Sequence, residues 1–356
     1  MVDSTESERE VADSTAAPPV ERPHTACCGG GDEVNHCLLI STDGAVHSGP
    51  PGGCPIPLYW EHVLATFRQQ STRWEVARQG YSLQGRTWGQ GPPLYILCGM
   101  GSTFKAFSLL MYLLKDSFRC VIFDYPGTVK SRTGGGRATI ATLRDDVLSA
   151  ADFHHDHQFH LFANSFGGLV ALEALQAAPD RVLRSVIQGG FARRQFSLME
   201  WAIAGFGCLL PGRLRSLPGA AAVQEKNHRR WFPSHDPTRW QFFLRDAGTV
   251  PNATLGRRGI MIASSDLRGN LPQIQQPVLL IHSDGDNLIS AECHHELVRG
   301  LPHGKSEWML NAGHLPHLTN PQRLARSIQN FLLPQPQSTG QASRATSAPG
   351  FVVVVG

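Results

Sequence analysis

The segment that most constrains this chain is residues 158–170, QFHLFANSFGGLV. An apolar run typical of a buried strand ends at Ala163, and a helix-like run begins at Gly168. Between them stands Ser165, with small residues two positions away on either side, Ala163 and Gly167. This layout predicts a tight strand-to-helix turn that holds the serine hydroxyl clear of a sheet. Such a turn forces its serine into an unfavourable backbone conformation, which costs about 1–3 kcal/mol.

The residues after the turn support the same interpretation. Residues 168–178 have apolar side chains at helical spacing, Pro179 and Asp180 end that helix, and residues 181–187 begin another strand. The helix N-terminus would point at Ser165, where its partial positive charge favours a developing oxyanion. The alternative is a buried core serine in an ordinary strand-to-helix turn, and this segment alone does not exclude it.

Size and composition are those of a globular protein. The chain has 356 residues, 41% hydrophobic and 17% charged, enough for one large α/β domain or two smaller ones. A net charge of +3 gives no case for a nucleic-acid partner. No apolar run reaches the roughly 20 residues of a membrane span. The nearest, residues 198–210, is interrupted by Glu200, and a buried or lid helix is preferred there over an interfacial one.

Cysteine usage indicates the compartment. Eight cysteines are scattered without a regular framework, and the first eight residues are acidic and polar, unlike a secretory leader. We therefore expect free thiols and a reducing, cytoplasmic setting. Four of the cysteines lie in the first 55 residues near three histidines, but without the paired spacing of a metal site, so we expect incidental free cysteines there.

Composition and periodicity divide the chain into five parts. These are a disordered polar tail (1–55), a first core part (56–190), a helical lid insertion (191–275), a second core part (276–334) and a disordered C-terminal tail (335–356). Strand-like and helix-like segments alternate in both core parts, after a helix at 57–70 and an antiparallel hairpin at 73–88. This rhythm predicts an α/β fold with a mostly parallel sheet and helices on both faces. The insertion is placed to cap the crevice at the strand ends, where such folds bind ligands.

A serine is a weak nucleophile near pH 7 and needs a base, which needs an orienting acid. Downstream, the strand-like run PVLLIH leads into an acidic turn that contains Asp284 and Asp286. Further on, the run WML leads into a Gly-His loop at His314. Both candidate groups follow a strand, as Ser165 does, so a parallel sheet would bring all of them to one edge.

These three elements resemble the alpha/beta hydrolase superfamily, in particular its lid-bearing members, which include many esterases and carbon–carbon bond hydrolases. The resemblance covers residues 73–334. It implies an alpha/beta-hydrolase fold and a triad in the chain order serine, acid, histidine. In that family the acid follows a Pro-x-Leu-x-Ile strand and the histidine follows a glycine. Carried over to this sequence, the resemblance implies Ser165 as the nucleophile, Asp286 as the acid and His314 as the base.

Two neighbouring residues receive structural roles. Asp284 falls earlier in its turn than the family pattern places the acid, and we expect it to fold that turn through side-chain to backbone hydrogen bonds. His317 is expected to line the site or to pack beneath the loop of His314.

The oxyanion of an ester's tetrahedral intermediate needs two backbone N–H donors. Phe166, directly after the nucleophile, should supply one, and Met100, in the loop CGMGS after the strand at 94–98, should supply the other. The family usually has His-Gly in that loop, where the histidine is a brace, whereas this chain has Cys98. A second landmark of the family, DYPGTVKS from Asp124, is expected to be structural.

The insertion is rich in aromatic residues, which suit an apolar or aromatic acyl group, and in arginines. The arginines could receive a carboxylate or phosphate, but a solvated basic face is preferred for most of them. We expect a serine hydrolase that acts on an ester or similar small acyl substrate through an acyl-enzyme, without a metal or organic cofactor. The alternatives are carbon–carbon bond cleavage, thioester hydrolysis, acyl transfer or perhydrolysis on the same triad, or a non-catalytic binding protein with this fold.

Overall fold

The structure of the protein is a computed structural model. It describes residues 58–128, 138–234 and 236–334, and two short strands that precede them. These strands, β1 (Leu38–Ile40) and β2 (Val46–Ser48), pair antiparallel in a separate unit that ends at Ile56. The rest of both tails predicted to be disordered, including the four N-terminal cysteines, lies outside the described residues.

The larger unit is built on one eight-stranded sheet. Its strands are β3 (Thr72–Arg78), β4 (Tyr81–Trp88), β5 (Pro93–Leu97), β6 (Arg119–Phe123), β7 (Phe159–Asn164), β8 (Val182–Gln188), β9 (Val278–Ser283) and β10 (Gly304–Met309). They lie in the order β10-β9-β8-β7-β5-β6-β4-β3. Only the pairs β3–β4 and β4–β6 are antiparallel, so the predicted mostly parallel sheet is confirmed.

Helices connect the strands and make up the insertion between β8 and β9, the predicted lid. They are α1 (Trp60–Gln70), α2 (Ser108–Leu114), α3 (Ile140–Phe153), α4 (Gly167–Ala177), α5 (Leu198–Gly207), α6 (Ala220–His228), α7 (Pro237–Ala247), α8 (Asn252–Ser264), α9 (Ala291–Gly300), α10 (Pro316–Thr319) and α11 (Pro321–Leu332). Every residue of β7 and β9 is buried, because helices cover both faces of the sheet.

The strand order opens a crevice at one edge of the sheet. β5 and β7 are neighbours, but the chain passes from β5 to β6 on one side and from β7 to β8 on the other. At such a reversal the loops diverge, and α/β sheets bind their ligands outside the carboxyl ends of the strands there. The loops after β5, β7, β9 and β10 all leave from this edge.

Helices α5–α8 fall within the predicted insertion at 191–275, between β8 and β9. Two sets of contacts fasten them to the core. The carboxylate of Asp246 in α7 accepts hydrogen bonds from the Thr103 N–H at 3.1 Å and the Thr103 hydroxyl at 2.5 Å. Trp60 stacks on Phe242 with ring centroids 4.4 Å apart and donates its indole N–H to Thr238 Oγ1 at 2.7 Å.

Within the described ranges no helix has the length and apolar character to cross a membrane. The apolar run at 198–210 forms α5 and the turn after it. The prediction of a buried helix is wrong, because most large apolar side chains of α5 are exposed. The lid helix stays a prediction.

Candidate active site

Ser165 lies directly after β7, in the predicted tight turn. Its φ is +53°, a left-handed conformation that is uncommon for any residue except glycine. The turn is held by the Ser165 N–H, which donates to the Gln188 carbonyl at 2.9 Å. A Cβ on Gly167 would lie 2.5 Å from the Leu97 carbonyl oxygen, so only glycine fits there. Ala163, which replaces the usual first glycine, is fully buried without such a conflict.

Asp286 and His314 lie together after β9 and β10. The Nδ1 atom of His314 is 2.7 Å from Asp286 Oδ2, and the Asp286 side chain has no solvent exposure. The other carboxylate oxygen accepts the N–H groups of Leu288 and Ile289 at 2.9 and 3.0 Å. Burial alone would raise the pKa of Asp286, but the charge and hydrogen bond of His314 and these two donors outweigh it and hold that pKa below its ordinary value.

Asp284 fastens the loop that carries the histidine. Its carboxylate accepts the Ala312 N–H at 3.3 Å, and its carbonyl accepts the Gly313 N–H at 3.3 Å. The Asp284 carboxylate therefore holds the backbone just before His314, whereas the imidazole itself is bonded to Asp286.

His317 packs beneath the same loop. It is fully buried and stacks on Phe107 with ring centroids 4.3 Å apart. Burial, together with the nearby rings of His314 and His228, lowers the pKa of His317 to about 3. A neutral ring at this place acts as a packing group near pH 7.

The serine and the histidine–aspartate pair meet around the end of β8. A Cβ on Gly189 would lie 3.3 Å from His314 Cε1 and 3.4 Å from Asp286 Oδ2. The preceding residue, Gln188, accepts the Ser165 N–H. Within the described residues Ser165 Oγ makes no hydrogen bond to His314, a contact that is often loose until substrate binds.

The loop after β5 lies against the serine turn. A Cβ on Gly99 would lie 2.7 Å from Asn164 Oδ1 and 3.7 Å from Ser165 Cβ, so a glycine lets the two loops touch. Over the described part of the chain, the N–H groups of Met100 and Phe166 have no hydrogen-bond partner. They are free to serve as the two donors that the sequence predicts.

Comparison with known proteins agrees with this fold. The profile of the alpha/beta hydrolase family matches residues 94–327, about two thirds of the chain. The chain belongs to the alpha/beta hydrolase family. This hydrolase is 24% identical over 271 residues to the protein named putative carbamate hydrolase RutD of Agrobacterium fabrum, a match that covers 72% of this chain and 99% of the relative.

Two further relatives are similar over nearly their whole lengths. The pimeloyl-[acyl-carrier protein] methyl ester esterase of Aeromonas hydrophila is 25% identical over 261 residues, which are 70% of this hydrolase and 99% of the relative. The crystal structure of a hydrolase from Pseudomonas aeruginosa PA01 superimposes with a TM-score of 0.65 at 23% identity, covering 73% of this chain and 98% of that one. The fold and the enzyme class are thus those of hydrolases, and the relatives fit an ester hydrolase.

In this hydrolase an arginine from the lid braces the loop where most of the family uses a histidine. Cys98, at the histidine's place, is buried, and burial raises the pKa of its thiol well above the ordinary value. Instead Arg258 in α8, itself 2% exposed, donates to the Met100 carbonyl at 2.6 Å and to Thr128 Oγ1 at 2.5 Å. Its guanidinium also lies 5.5 Å from the Tyr125 ring centroid. By sequence Arg258 is only one of many arginines in the insertion, and nothing local marks it.

Asp124 braces the next stretch of the same loop. Its carboxylate accepts the Phe104 N–H at 2.8 Å. Burial raises the pKa of Asp124 to about 7, and the charge of Asp246 acts in the same direction, although the Phe104 bond and Arg258 favour the ionised form. Because the folded-state pKa lies above that of the unfolded chain, the folded state binds more protons between about pH 4 and pH 7. This carboxyl group therefore makes the protein less stable as pH rises through that range.

Asp124→Asn should remove this pH-dependent penalty while keeping an acceptor for the Phe104 N–H. We expect the variant's free energy of unfolding minus that of wild type to be greater at pH 8 than at pH 5, by on the order of 2 kcal/mol. Urea unfolding of both proteins at the two pH values measures this difference. Groups that titrate identically in wild type and variant cancel when the two free energies are subtracted. A difference that is constant with pH, or larger at pH 5, would contradict the assignment.

A lid tryptophan covers the histidine–aspartate pair. Gly285 and Gly313 precede Asp286 and His314, and a Cβ on either glycine would lie within 2.3 Å of the Trp231 indole. Both glycines also have positive φ, +63° and +62°. Trp231 therefore packs against the backbone of both loops and covers the pair.

A lid histidine also reaches the site. His228, at the end of α6, is buried, with its ring centroid 6.3 Å from that of His314. Its other side packs edge-on against Phe243 at 5.4 Å. Burial and the proximity of His314 lower the pKa of His228 to about 4, so it is a neutral, polar part of the roof near pH 7.

Proposed function

We propose that this protein is a serine hydrolase of an ester or similar small acyl substrate, with Ser165 as nucleophile, His314 as base and Asp286 as acid. The observation that carries the proposal is the 2.7 Å contact between His314 and Asp286 at the edge where the strained Ser165 turn lies. A buried carboxylate bonded to an imidazole, beside a serine held at positive φ, is the arrangement that acyl-transfer chemistry requires.

The reaction follows from these positions. Ser165 Oγ attacks the substrate carbonyl as His314 Nε2 removes its proton. Asp286 accepts the Nδ1–H of His314, which selects the productive tautomer and stabilises the imidazolium that forms. His314 then gives the proton to the leaving alcohol. Water, activated by the same imidazole, releases the acyl group from Ser165.

The negative charge on the tetrahedral intermediate is held by backbone donors. The unpartnered N–H groups of Phe166 and Met100 serve this purpose, at the N-terminus of the eleven-residue helix α4. Arg258 fixes the Met100 carbonyl, which sets the orientation of the loop that carries this donor.

The class of substrate is supported by the lid and by the relatives. The two sequence relatives are named a putative carbamate hydrolase and a methyl ester esterase, and carbamates and esters both contain an acyl carbonyl. Above the site, His228 packs against Phe243, which belongs to a buried aromatic group with Phe232 and Trp240. This roof suits an apolar or aromatic acyl group.

The cytoplasmic setting stays a prediction. Within the described residues the cysteines at 98, 120, 208 and 293 are free thiols, as a reducing compartment would leave them.

The proposal is tested by labelling the purified protein with a fluorophosphonate probe, which reacts with an activated serine. We expect wild type to be labelled at Ser165, Ser165→Ala to remain unlabelled, and His314→Ala to react at least about 100-fold more slowly because the base is missing. Ser185→Ala, a buried serine on β8, is the matched control and should label like wild type. Wild type that stays unlabelled, or labelling that persists in Ser165→Ala, contradicts the proposal. If Ser165 is labelled, a panel of ester, thioester and diketone substrates separates the alternative reactions.

A further inference from the structure

The lid helix α5 presents an apolar surface that nothing in the described structure covers. Twelve large apolar side chains are exposed in the described part of the chain, and six of them lie between residues 198 and 209. Five of these, Leu198, Met199, Ile203, Phe206 and Leu209, are 64–89% exposed. Apolar exposure concentrated in one short segment marks an interaction surface, whereas scattered single residues do not.

Helix α5 is anchored along a narrow seam on its opposite side. Ala204 and Gly207 face Gly256 and Gly259 of α8, where a Cβ on Gly256 would lie 2.6 Å from the Ala204 carbonyl oxygen. Small residues let the two backbones approach closely, so α5 is firmly held while its large side chains point away. The exposed surface is therefore a built feature of the lid rather than a frayed end.

The exposed arc of α5 is wide and uncharged. At about 100° per residue, the arc from Trp201 through Leu198 and Phe206 to Ile203 spans about 200° of the helix. The only ionisable side chain of the helix, Glu200, lies on the anchored side and is paired with Arg194 at 2.7 Å. An apolar stripe of about 100° is typical of a helix packed on a globular core, and this uncovered arc is about twice as wide.

Cations flank the end of this helix. Arg213 and Arg215 follow α5 in the chain, and Arg257 lies beside Gly256, against which the end of α5 packs. Arg215 and Arg257 are exposed and form no ion pair with any other described residue, whereas Arg213 is half-buried and donates to the Thr249 carbonyl at 2.8 Å. Unpaired arginines beside an apolar surface complement the headgroups of anionic lipids.

We propose that α5 docks this protein onto the surface of an anionic lipid bilayer, with the apolar arc in the headgroup–acyl boundary and Arg215 and Arg257 on lipid phosphates. The helix lies in the interface and does not span the bilayer. Docking does not rest on the proposed hydrolysis. Where both hold, the lid faces the bilayer, and lipid-borne esters are the substrates delivered to the site.

The test is flotation of the full chain with two kinds of vesicle. One contains phosphatidylcholine alone, and the other contains in addition about 30% phosphatidylglycerol, which makes its surface anionic. We expect binding to the anionic vesicles that weakens as salt is raised. Leu198→Ser with Phe206→Ser should lower the partition coefficient at least about tenfold. Arg215→Gln with Arg257→Gln should lower it about tenfold or more on anionic vesicles only.

Controls separate docking from folding and from catalysis. Leu183→Ser, an exposed apolar residue at the opposite end of β8, should bind like wild type, and thermal unfolding shows whether each variant is folded. Ser165→Ala should still bind vesicles, so a failed hydrolase proposal leaves this result intact. The absence of vesicle binding by wild type, or unchanged binding by the folded α5 variant, overturns the proposal. So does a wild-type dimer that dissociates in the α5 variant without any vesicle binding, which makes α5 a contact between copies.

Discussion

Ser165→Ala should lower kcat/KM for any accepted ester by about 10⁴-fold or more, while leaving the fold intact. The reason is local: the hydroxyl is the only group lost, and the alanine keeps the turn that the Gln188 and Gly167 contacts enforce. Hydrolysis of a panel of short p-nitrophenyl esters measures the loss. KM should change little, because the backbone donors and the lid still bind the substrate.

The matched control is again Ser185→Ala, which removes a hydroxyl that is fully buried on β8 and has no hydrogen-bond partner among the described residues. Its activity should stay within about threefold of wild type, since it touches neither loop of the site. Residual activity in Ser165→Ala above about a tenth of wild type contradicts the nucleophile assignment.

Asp286→Asn should lower kcat by about 10³- to 10⁴-fold. Loss of the buried carboxylate leaves the imidazolium unstabilised and permits the wrong tautomer of His314, because an amide can donate as well as accept. Steady-state kinetics over a range of substrate concentrations separates this effect on kcat from any effect on KM.

Asp284→Asn is the informative comparison, because it makes the same chemical change two residues away. Its side-chain oxygen can still accept the Ala312 N–H, so we expect activity within about fivefold of wild type and a modest loss of stability. If Asp284→Asn is the more damaging of the two substitutions, the acid has been assigned to the wrong residue.

Local patterns in the sequence predicted much of the architecture. The alternation of strand-like and helix-like segments predicted the mostly parallel sheet, and Gly80 between two strand-like runs predicted the antiparallel edge. The serine turn was readable because its steric demands are local: small residues at 163 and 167 are needed wherever a strand and a helix meet that tightly. The order of the acid and the histidine after later strands, together with the family resemblance, led to the prediction of Asp286 and His314, whose side chains lie 2.7 Å apart.

Contacts between distant segments could not be read in this way. Arg258 lies 158 residues from Met100, and no periodicity links a lid arginine to the loop after β5. Trp231 packs on Gly285 and Gly313 because the insertion folds back over both loops, a contact that no local pattern predicts. The near-neutral pKa of Asp124 likewise arises from burial and from Asp246, a residue of α7.

The sequence by itself determined the fold class, the serine turn and the chemical types of the candidate site, because each depends on residues close together in the chain. Only the tertiary structure decided how the loop of Met100 is braced and which face of α5 is covered. An apolar run such as 198–210 has the same pattern whether it is buried or exposed. Which side of this segment is buried depends on the small residues of α8, which pack against one side of α5 while the other side stays exposed.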